Sequence, residues 1–454
     1  MLIVMSDLHL AEASSNSLGN VKFDNNLPAS VYCVYFNEIA DFIHKNHIAK
    51  VELVLAGDIF EITRSALWLE NGLRPYMHLN EVGEGSALET RIAAILATIA
   101  QEERVAETLE IIRGLENTFQ RQVNVDFLPG NHDRLANATP LIRHQVQQLL
   151  GLPINNAPFP NQFIAYSQGK PFVLVRHGHE YDPSNFGLNL KEMQSIPTFI
   201  PAEVYGRPVL GDITTLELAA KLPKLFREYY TEHAILANAD LVLLYQRLMD
   251  FDNVRPASAL VKFLLTTPGL SQSEAWDYLE PIFLRAMNDI AENAELSQRI
   301  LTLGGLAGVS SRTLALLLRR STWKHGIPFW LVRRTSDALA KSIRLGSIVN
   351  LVAKEECLQP GASTMQCIVC GHTHNPEVEL LQVEDGQHKY YLNSGTFRNV
   401  IATTPGIDKF SRLRSKARVL IFEPGEHNPE YTRETGWSFD FTAKFAYGSE
   451  PEVT

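Results

Sequence analysis

The 454-residue sequence predicts an α/β fold interrupted by a large helical insertion. Three observations carry that expectation. Short apolar runs of strand length recur in the first part of the chain and again after residue 365, and such runs bounded by turn signals read as buried strands. Apolar residues at helical spacing lie between them. From about Pro183 to Asn350 the strand-like runs stop, and only helical periods remain.

In order, Leu2–Met5 is the first expected strand and ends before Asp7. Phe36, Ile39, Ala40 and Ile43 share one helical face within 32–43. The run 51–56 is the second strand and delivers Gly57-Asp58. A first insertion follows over about 62–120. In it Ser86-Ala87-Leu88-Glu89 is a capping box, where Ser and Glu satisfy free N–H groups at a helix start. Ile92, Ile95, Leu96 and Ile99 continue that helix, with a break expected near Gln101. The run 123–128 is the third strand, and Pro129-Gly130-Asn131-His132-Asp133 the turn after it. Thr139 as N-cap, Pro140 at the first helical position and Gly151 as a stop delimit the next helix. Runs 163–166 and 172–176 form a hairpin through Gly169-Lys170 whose second arm ends at His177.

Within the insertion, Ser271 to Glu274 is a second capping box, ahead of Ala275, Leu279, Ile282, Ala286 and Ile290, with a kink expected at Pro281. Stretches 232–250 and 310–320 read as further helices. Strands resume at 365–370, 389–392 and 417–422, and the polar tail after Glu423 reads as irregular. The expected division is one domain in two parts, 1–182 and 351–454, around an all-helical insertion at 183–350. That insertion is large enough for its own core.

Composition narrows the function classes. Hydrophobic content of 45% and charged content of 20% are ordinary for a packed soluble chain. A formal net charge of -10 gives no global attraction to nucleic acid or anionic lipid. The four cysteines, Cys33, Cys357, Cys367 and Cys370, are too few for a disulfide scaffold. Cys367 and Cys370 form a lone C-x-x-C inside an apolar run, so they are expected as small buried strand residues. No secretory pattern is visible at Met1–Met5, because Asp7 and His9 interrupt it. No run approaches the ~18–20 apolar residues of a membrane span. The expected address is cytoplasmic.

The chemistry lies where strands end. Val4-Met5-Ser6-Asp7-Leu8-His9-Leu10, Gly57-Asp58, Gly130-Asn131-His132-Asp133, His177-Gly178-His179 and Cys370-Gly371-His372-Thr373-His374 each set metal-type ligands at a strand exit. Asp7 and His9 flank one residue, so on an extended strand both point to the same side and can clasp one ion. Asp58 has two oxygens and can bridge two ions. Asn131 offers an amide oxygen, and His177, His372 and His374 offer imidazole nitrogens. A mixed O/N set without thiolate suits Mn first, or Fe, Zn, Co or Ni. Two such ions ~3.5–4 Å apart can hold a hydroxide between them and grip phosphate oxygens for in-line displacement. His132, beside Asn131, is then free to donate a proton to the leaving oxygen, with Asp133 expected to fix its tautomer.

The order D-x-H, G-D, G-N-H-D, H-G-H and G-H-T-H resembles the calcineurin-like metallophosphoesterase superfamily over about 1–182 and 365–422. The resemblance implies a four-layer fold, with two mixed β-sheets packed face to face and helices outside. It implies one metal bound by Asp7, His9, Asp58 and His374, and a second by Asp58, Asn131, His177 and His372. Asp58 would bridge and His132 would be the catalytic histidine. By the same pattern His177 is the ligand, and His179 stands behind it. Ser6–Leu10 and Gly57–Glu61 also resemble the branch that cleaves UDP-sugar lipid pyrophosphates, which lacks so long an insertion.

Arg64, Arg134 and Arg398 are candidates to hold substrate phosphate, since an Arg fork matches phosphate oxygens. Asn393-Ser394-Gly395-Thr396 resembles the loop that closes the family's site, or is simply a turn. A basic, aromatic stretch at 312–344 offers a peripheral membrane contact or a landing surface for a polyanion. The bland alternative there is a helix pair with a solvated basic face. The expected function is metal-dependent hydrolysis of phosphate esters or anhydrides, with the insertion as a substrate-selecting cap. Phosphorylated small molecules or nucleotides rank ahead of lipid-linked pyrophosphates, and nucleic acid comes last. The rival is a non-catalytic protein-binding scaffold, which has no need of His132. Oligomeric state has no signature in the sequence.

Overall fold

The computed structural model describes residues 1–454 apart from 16, 20, 24, 256–258, 308–347, 362–363, 385, 424–425, 427–435 and 448–454. The expected helix at 310–320 and the basic stretch 312–344 lie outside the described residues.

Period-two alternation builds the centre of the protein. In β1 (Leu2–Met5), Leu2 and Val4 turn to one face, Ile3 and Met5 to the other. A small hairpin, β2 (Ser17–Leu18) with β3 (Val21–Lys22), precedes β4 (Lys50–Ala56). There Val54 and Ala56 join the face of Leu2, while Leu53 and Leu55 join that of Ile3. The strands that follow are β5 (Gln122–Leu128), β6 (Phe163–Ser167), β7 (Lys170–Val175), β8 (Val254–Arg255), β9 (Cys367–Cys370), β10 (Glu377–Glu384), β11 (Gln387–Asn393), β12 (Asn399–Thr403), β13 (Phe410–Phe422) and β14 (Ser438–Tyr447).

They form two mixed sheets. The first runs β5–β4–β1–β13–β12–β8, with β14 also on β13. Pairings β1–β4, β4–β5 and β12–β8 are parallel, and the three made by β13 are antiparallel. The second runs β10–β11–β9–β7–β6, parallel at β11–β9 and β9–β7. Their inner faces meet through Leu2, Val4, Val54, Ala56 and Val419 on one side and Val173, Val175, Cys367, Val369 and Leu392 on the other. At about 1.5–3 kcal/mol per fully buried aliphatic side chain, this seam holds the sheets together, since no strand pairing among the described residues joins them. Helices Ala29–Lys45, Ala87–Gln101 and Glu103–Arg113 cover the outer face of the first sheet. Tyr181, Leu190, Ile196, Val352 and Leu358 cover that of the second.

Local signals place most element ends. Thr139 accepts from the N–H of Ile142, Pro140 opens that helix, and Gly151 ends it at φ 71°. Ser271 and Glu274 form the full reciprocal box. The Ser86 side chain accepts from Glu89, but Glu89 reaches past Ser86 to the N–H of Gly85. The β6–β7 hairpin turns through Gln168 (φ 50°) and Gly169 (φ 77°), the double positive φ that matches strand twist. Cys367 and Cys370 are fully buried in β9.

Three expectations are corrected. Stretch 232–250 is two helices, Glu232–Leu236 and Ala239–Met249, because Asn238 caps the second. The tail is not irregular: β14 pairs with β13 from Ser438 to Tyr447. The insertion is not all-helical. Its apolar cluster around Leu222, Phe226, Leu244, Trp276, Leu279 and Ile282 also takes in Leu18, Phe23 and Ile401 from outside it, and it contributes β8. Val254 and Arg255 pair with Ile401 and Ala402 of β12. Two residues are too few to show a period, and their partner is remote in sequence, so β8 left no signal.

Candidate metal centre

The site sits where parallel strands end. Asp7 and His9 follow β1, Asp58 follows β4, and Asn131 and His132 follow β5. Across the seam, His177 follows β7, and His372 and His374 follow β9. C-terminal strand ends are where α/β sheets collect ligands. The loops after β1 and β4 are zipped side by side by Asp7 N–H to Gly57 O (3.0 Å), His9 N–H to Asp58 O (2.9 Å) and Leu10 N–H to Ile59 O (2.8 Å).

Asp7 and His9 do reach the same side, but not by extended geometry. Both are left-handed, at φ 54° and 47°. Asp58 (54°), His372 (67°) and His374 (60°) share that conformation, which is costly for residues with a Cβ and clusters at functional sites. Glycines make the close approaches. A Cβ on Gly130 would stand 2.3 Å from Asp58 Oδ1, and one on Gly371 would stand 2.2 Å from Asp7 Oδ2.

The expected donors fall into two clusters, and a third group, His9, Glu61 and His132, shares His9 with the first. In the first, His9 Nε2 and His374 Nε2 are 2.9 Å apart, with Asp7 Oδ1 3.3 Å from the latter and 3.7 Å from the former. In the second, His177 Nε2 lies 3.1 Å from Asp58 Oδ2 and 3.2 Å from Asn131 Oδ1, and His372 joins Asp58 and His177 within 4.8 Å. Asp58 Oδ2 is also 3.9 Å from His9 Nε2, which places it between the second cluster and a donor of the first.

These residues fit a pair of divalent cations. Asp7 Oδ1 is buried without a hydrogen-bond partner, and imidazole nitrogens and carboxylate oxygens converge on it. Three histidines turn their second nitrogen onto an oxygen: His9 Nδ1 to Glu61 (3.3 Å), His177 Nδ1 to Ala56 O (2.8 Å) and His372 Nε2 to Asp182 (3.2 Å). Such outer contacts fix the tautomer that presents the other nitrogen to a metal.

His132 stands at the edge, its backbone N–H donating to Asp58 Oδ1 at 2.7 Å. Its Nδ1 is ion-paired with Glu61, and Asp133 does not meet it. Asp133 instead accepts from the N–H groups of Gly130 (2.6 Å), Ile59 (2.8 Å), Asp58 and Phe60 (both 3.3 Å), fastening two ligand loops together. The tautomer role expected of Asp133 therefore falls to Glu61, which Arg398 also holds at 2.8 Å. Burial pulls the His132 imidazolium down, but the Glu61 and Asp58 carboxylates outweigh it and raise the group to about 9. Burial and then Asp58 push Asp133 up to about 7 against its backbone N–H donors.

His179 is buried against Phe186 and Tyr205, its ring 5.3 Å from that of His177. Burial lowers it to about 4. Of the three arginines expected on phosphate, Arg398 reaches the centre through Glu61. Arg64 pairs with Asp252 (2.5 Å) and donates to Met249 O. Arg134 pairs with Asp212 (3.1 Å) and donates to Pro75 O and Met77 O. Both guanidiniums tie the site's loops to other segments, although Arg64 Nη1 stays buried without a hydrogen-bond partner. The Asn393–Thr396 loop closes the floor, with Thr396 Oγ1 on Asp7 O (2.7 Å) and Asn393 Nδ2 on Gly371 O (2.7 Å).

Glu61, Asp182 and Arg255 went unread in the sequence. Glu61 had a signal, a carboxylate three residues after Asp58; Asp182 and Arg255 had none. No family model matches the chain, and no curated protein matches it.

Proposed function

We propose that the chain hydrolyses phosphate esters or anhydrides with two divalent cations, as a member of the calcineurin-like metallophosphoesterase superfamily. Two mixed sheets with helices outside are compatible with that superfamily's four-layer fold. The observation that carries the proposal is the position of Asp58 Oδ2 between two donor clusters while its other oxygen holds the backbone of His132. Asp7, His9, Asp58 and His374 would hold one cation and Asp58, Asn131, His177 and His372 the other, with Mn first and Fe, Zn, Co or Ni as alternatives. Such cations supply Lewis acidity to phosphoryl oxygens and lower the pKa of water toward neutrality.

The chain's own residues do the rest. Glu61 keeps His132 protonated at neutral pH and turns its Nε2 toward the leaving oxygen, which takes the proton as the ester bond breaks. Arg398 holds Glu61 in place, and Asp133 keeps the Asp58 and Asn131 loops in register. The substrate class is a phosphorylated small molecule or nucleotide. No helix among the described residues is long and apolar enough to cross a membrane.

The test is hydrolysis of chromogenic phosphomonoester and phosphodiester substrates in Mn²⁺ and after chelation, for wild type and His132→Ala, with metal content counted. Chelation should abolish turnover, and His132→Ala should lower kcat by roughly 10²–10⁴ with both metals retained. A chain that binds no metal and turns nothing over is the scaffold instead.

A further inference from the structure

Three of the four histidines in the donor clusters turn their second ring nitrogen onto an oxygen, and the fourth does not. His374 Nδ1 faces Arg255, whose Nη2 is 2.8 Å away. A guanidinium only donates, whereas the usual outer partner of a metal-ligating imidazole is an acceptor. Arg255 is therefore not there as an ordinary support for His374.

Its other direct contacts are to carbonyls, and the carboxylates of Asp252, Asp7 and Asp182 act on its charge without touching it. Nη1 donates to the backbone carbonyls of Asp252 (2.6 Å) and Val254 (3.1 Å). The nearest acid in sequence, Asp252, is already paired with Arg64. Among the described residues no carboxylate makes an ion pair with Arg255. Arg398 is a second guanidinium at the site, paired with Glu61. It is 1% exposed, gives one nitrogen to Glu61, and has two more, Nε and Nη2, buried without hydrogen-bond partners. The charge on Arg398 also opposes that on Arg255. Both guanidiniums border the Asp7–His9–His374 cluster, one through His374 and the other through Glu61 and His9. A buried guanidinium with spare donors, as Arg398 is, calls for an anion, and planar forks suit the oxygens of a phosphoryl group.

We propose that Arg255, with Arg398 beside it, binds non-bridging oxygens of the substrate phosphoryl group, so that the helical insertion supplies part of the binding site. This rests on the hydrolase proposal above. Arg255 is held by the pairing of β8 with β12, which makes docking of the insertion on the sheet a condition for phosphate binding. The insertion then takes part in catalysis directly, beyond screening what enters.

The experiment titrates inorganic phosphate by calorimetry into the full, Mn²⁺-loaded chain as wild type, Arg255→Met and Arg255→Lys, with metal per chain counted and melting followed. Met keeps the aliphatic stem and should weaken phosphate about tenfold or more with two metals retained. Lys keeps the charge without the fork and should weaken it about threefold, which decides the matter if the Met variant does not fold. Unchanged phosphate affinity in a folded variant overturns the proposal. Loss of metal in step with phosphate also overturns it, because Arg255 would then act by positioning His374. Wild type without bound metal fails the hydrolase proposal itself, and this one with it.

Discussion

Glu61→Gln isolates the charge that holds the proton on His132. The substitution keeps the shape, and an amide oxygen can still accept from Arg398, but the carboxylate that raises His132 to about 9 is gone. Return of the imidazole toward its ordinary 6.5 has a calculable effect. At pH 7.5 a group with pKa 9 is about 97% protonated, and one at 6.5 about 9%. If His132 is the acid, kcat at pH 7.5 falls about tenfold and is nearly restored at pH 5.5. Bound cations oppose the imidazolium, so 9 is the upper limit of the wild-type alkaline limb; the displacement between wild type and variant is the quantity to read. Stability obeys the same sign. A raised imidazole pKa stabilises the fold fully below about 6.5 and loses that contribution as pH rises through about 9. Glu61→Gln should therefore cost more stability at pH 6 than at pH 9.5. The assay is kcat against pH from 5.5 to 9.5 with Mn²⁺ and a metal count at each end. An alkaline limb that does not move, with both metals bound, refutes the role given to Glu61.

Gly130→Ala drives a Cβ against Asp58 Oδ1 and its backbone N and should weaken metal binding roughly 10–100-fold; metal content after dialysis equal to wild type would contradict it. Arg134→Met strands Asp212, only 3% exposed, and should cost about 3–5 kcal/mol of stability with KM unchanged. A raised KM at full stability would return Arg134 to the phosphate.

The residues gathered at the site were legible in the sequence because each follows a short apolar strand and stands beside glycine or its own partner in a local motif. Asp7, His9, Asp58, Asn131, His177, His372 and His374 all lie within a few residues of a strand end, and strand ends are local events. What failed were inferences about direction. Two residues apart on an extended strand predicts a shared side for Asp7 and His9; the chain reaches that result through two left-handed residues instead. Adjacency made Asp133 the natural partner of His132, but its carboxylate is consumed by backbone N–H groups from the neighbouring loop. Arg64 and Arg134 were chosen for charge near a motif, and nothing local shows that Asp252 and Asp212 wait for them in the insertion.

Strand runs, helix caps and the order of the candidate donors were determined by the sequence alone, since each depends on residues within about one turn or one strand of one another. The tertiary structure alone decided which strands pair, that Asp58 lies between two clusters, that Glu61 holds His132, and that β8 brings Arg255 to His374. Those relations join residues far apart in the chain, 119 positions for Arg255 and His374. They are set by how two sheets close on a common seam, and no local spacing encodes that closure.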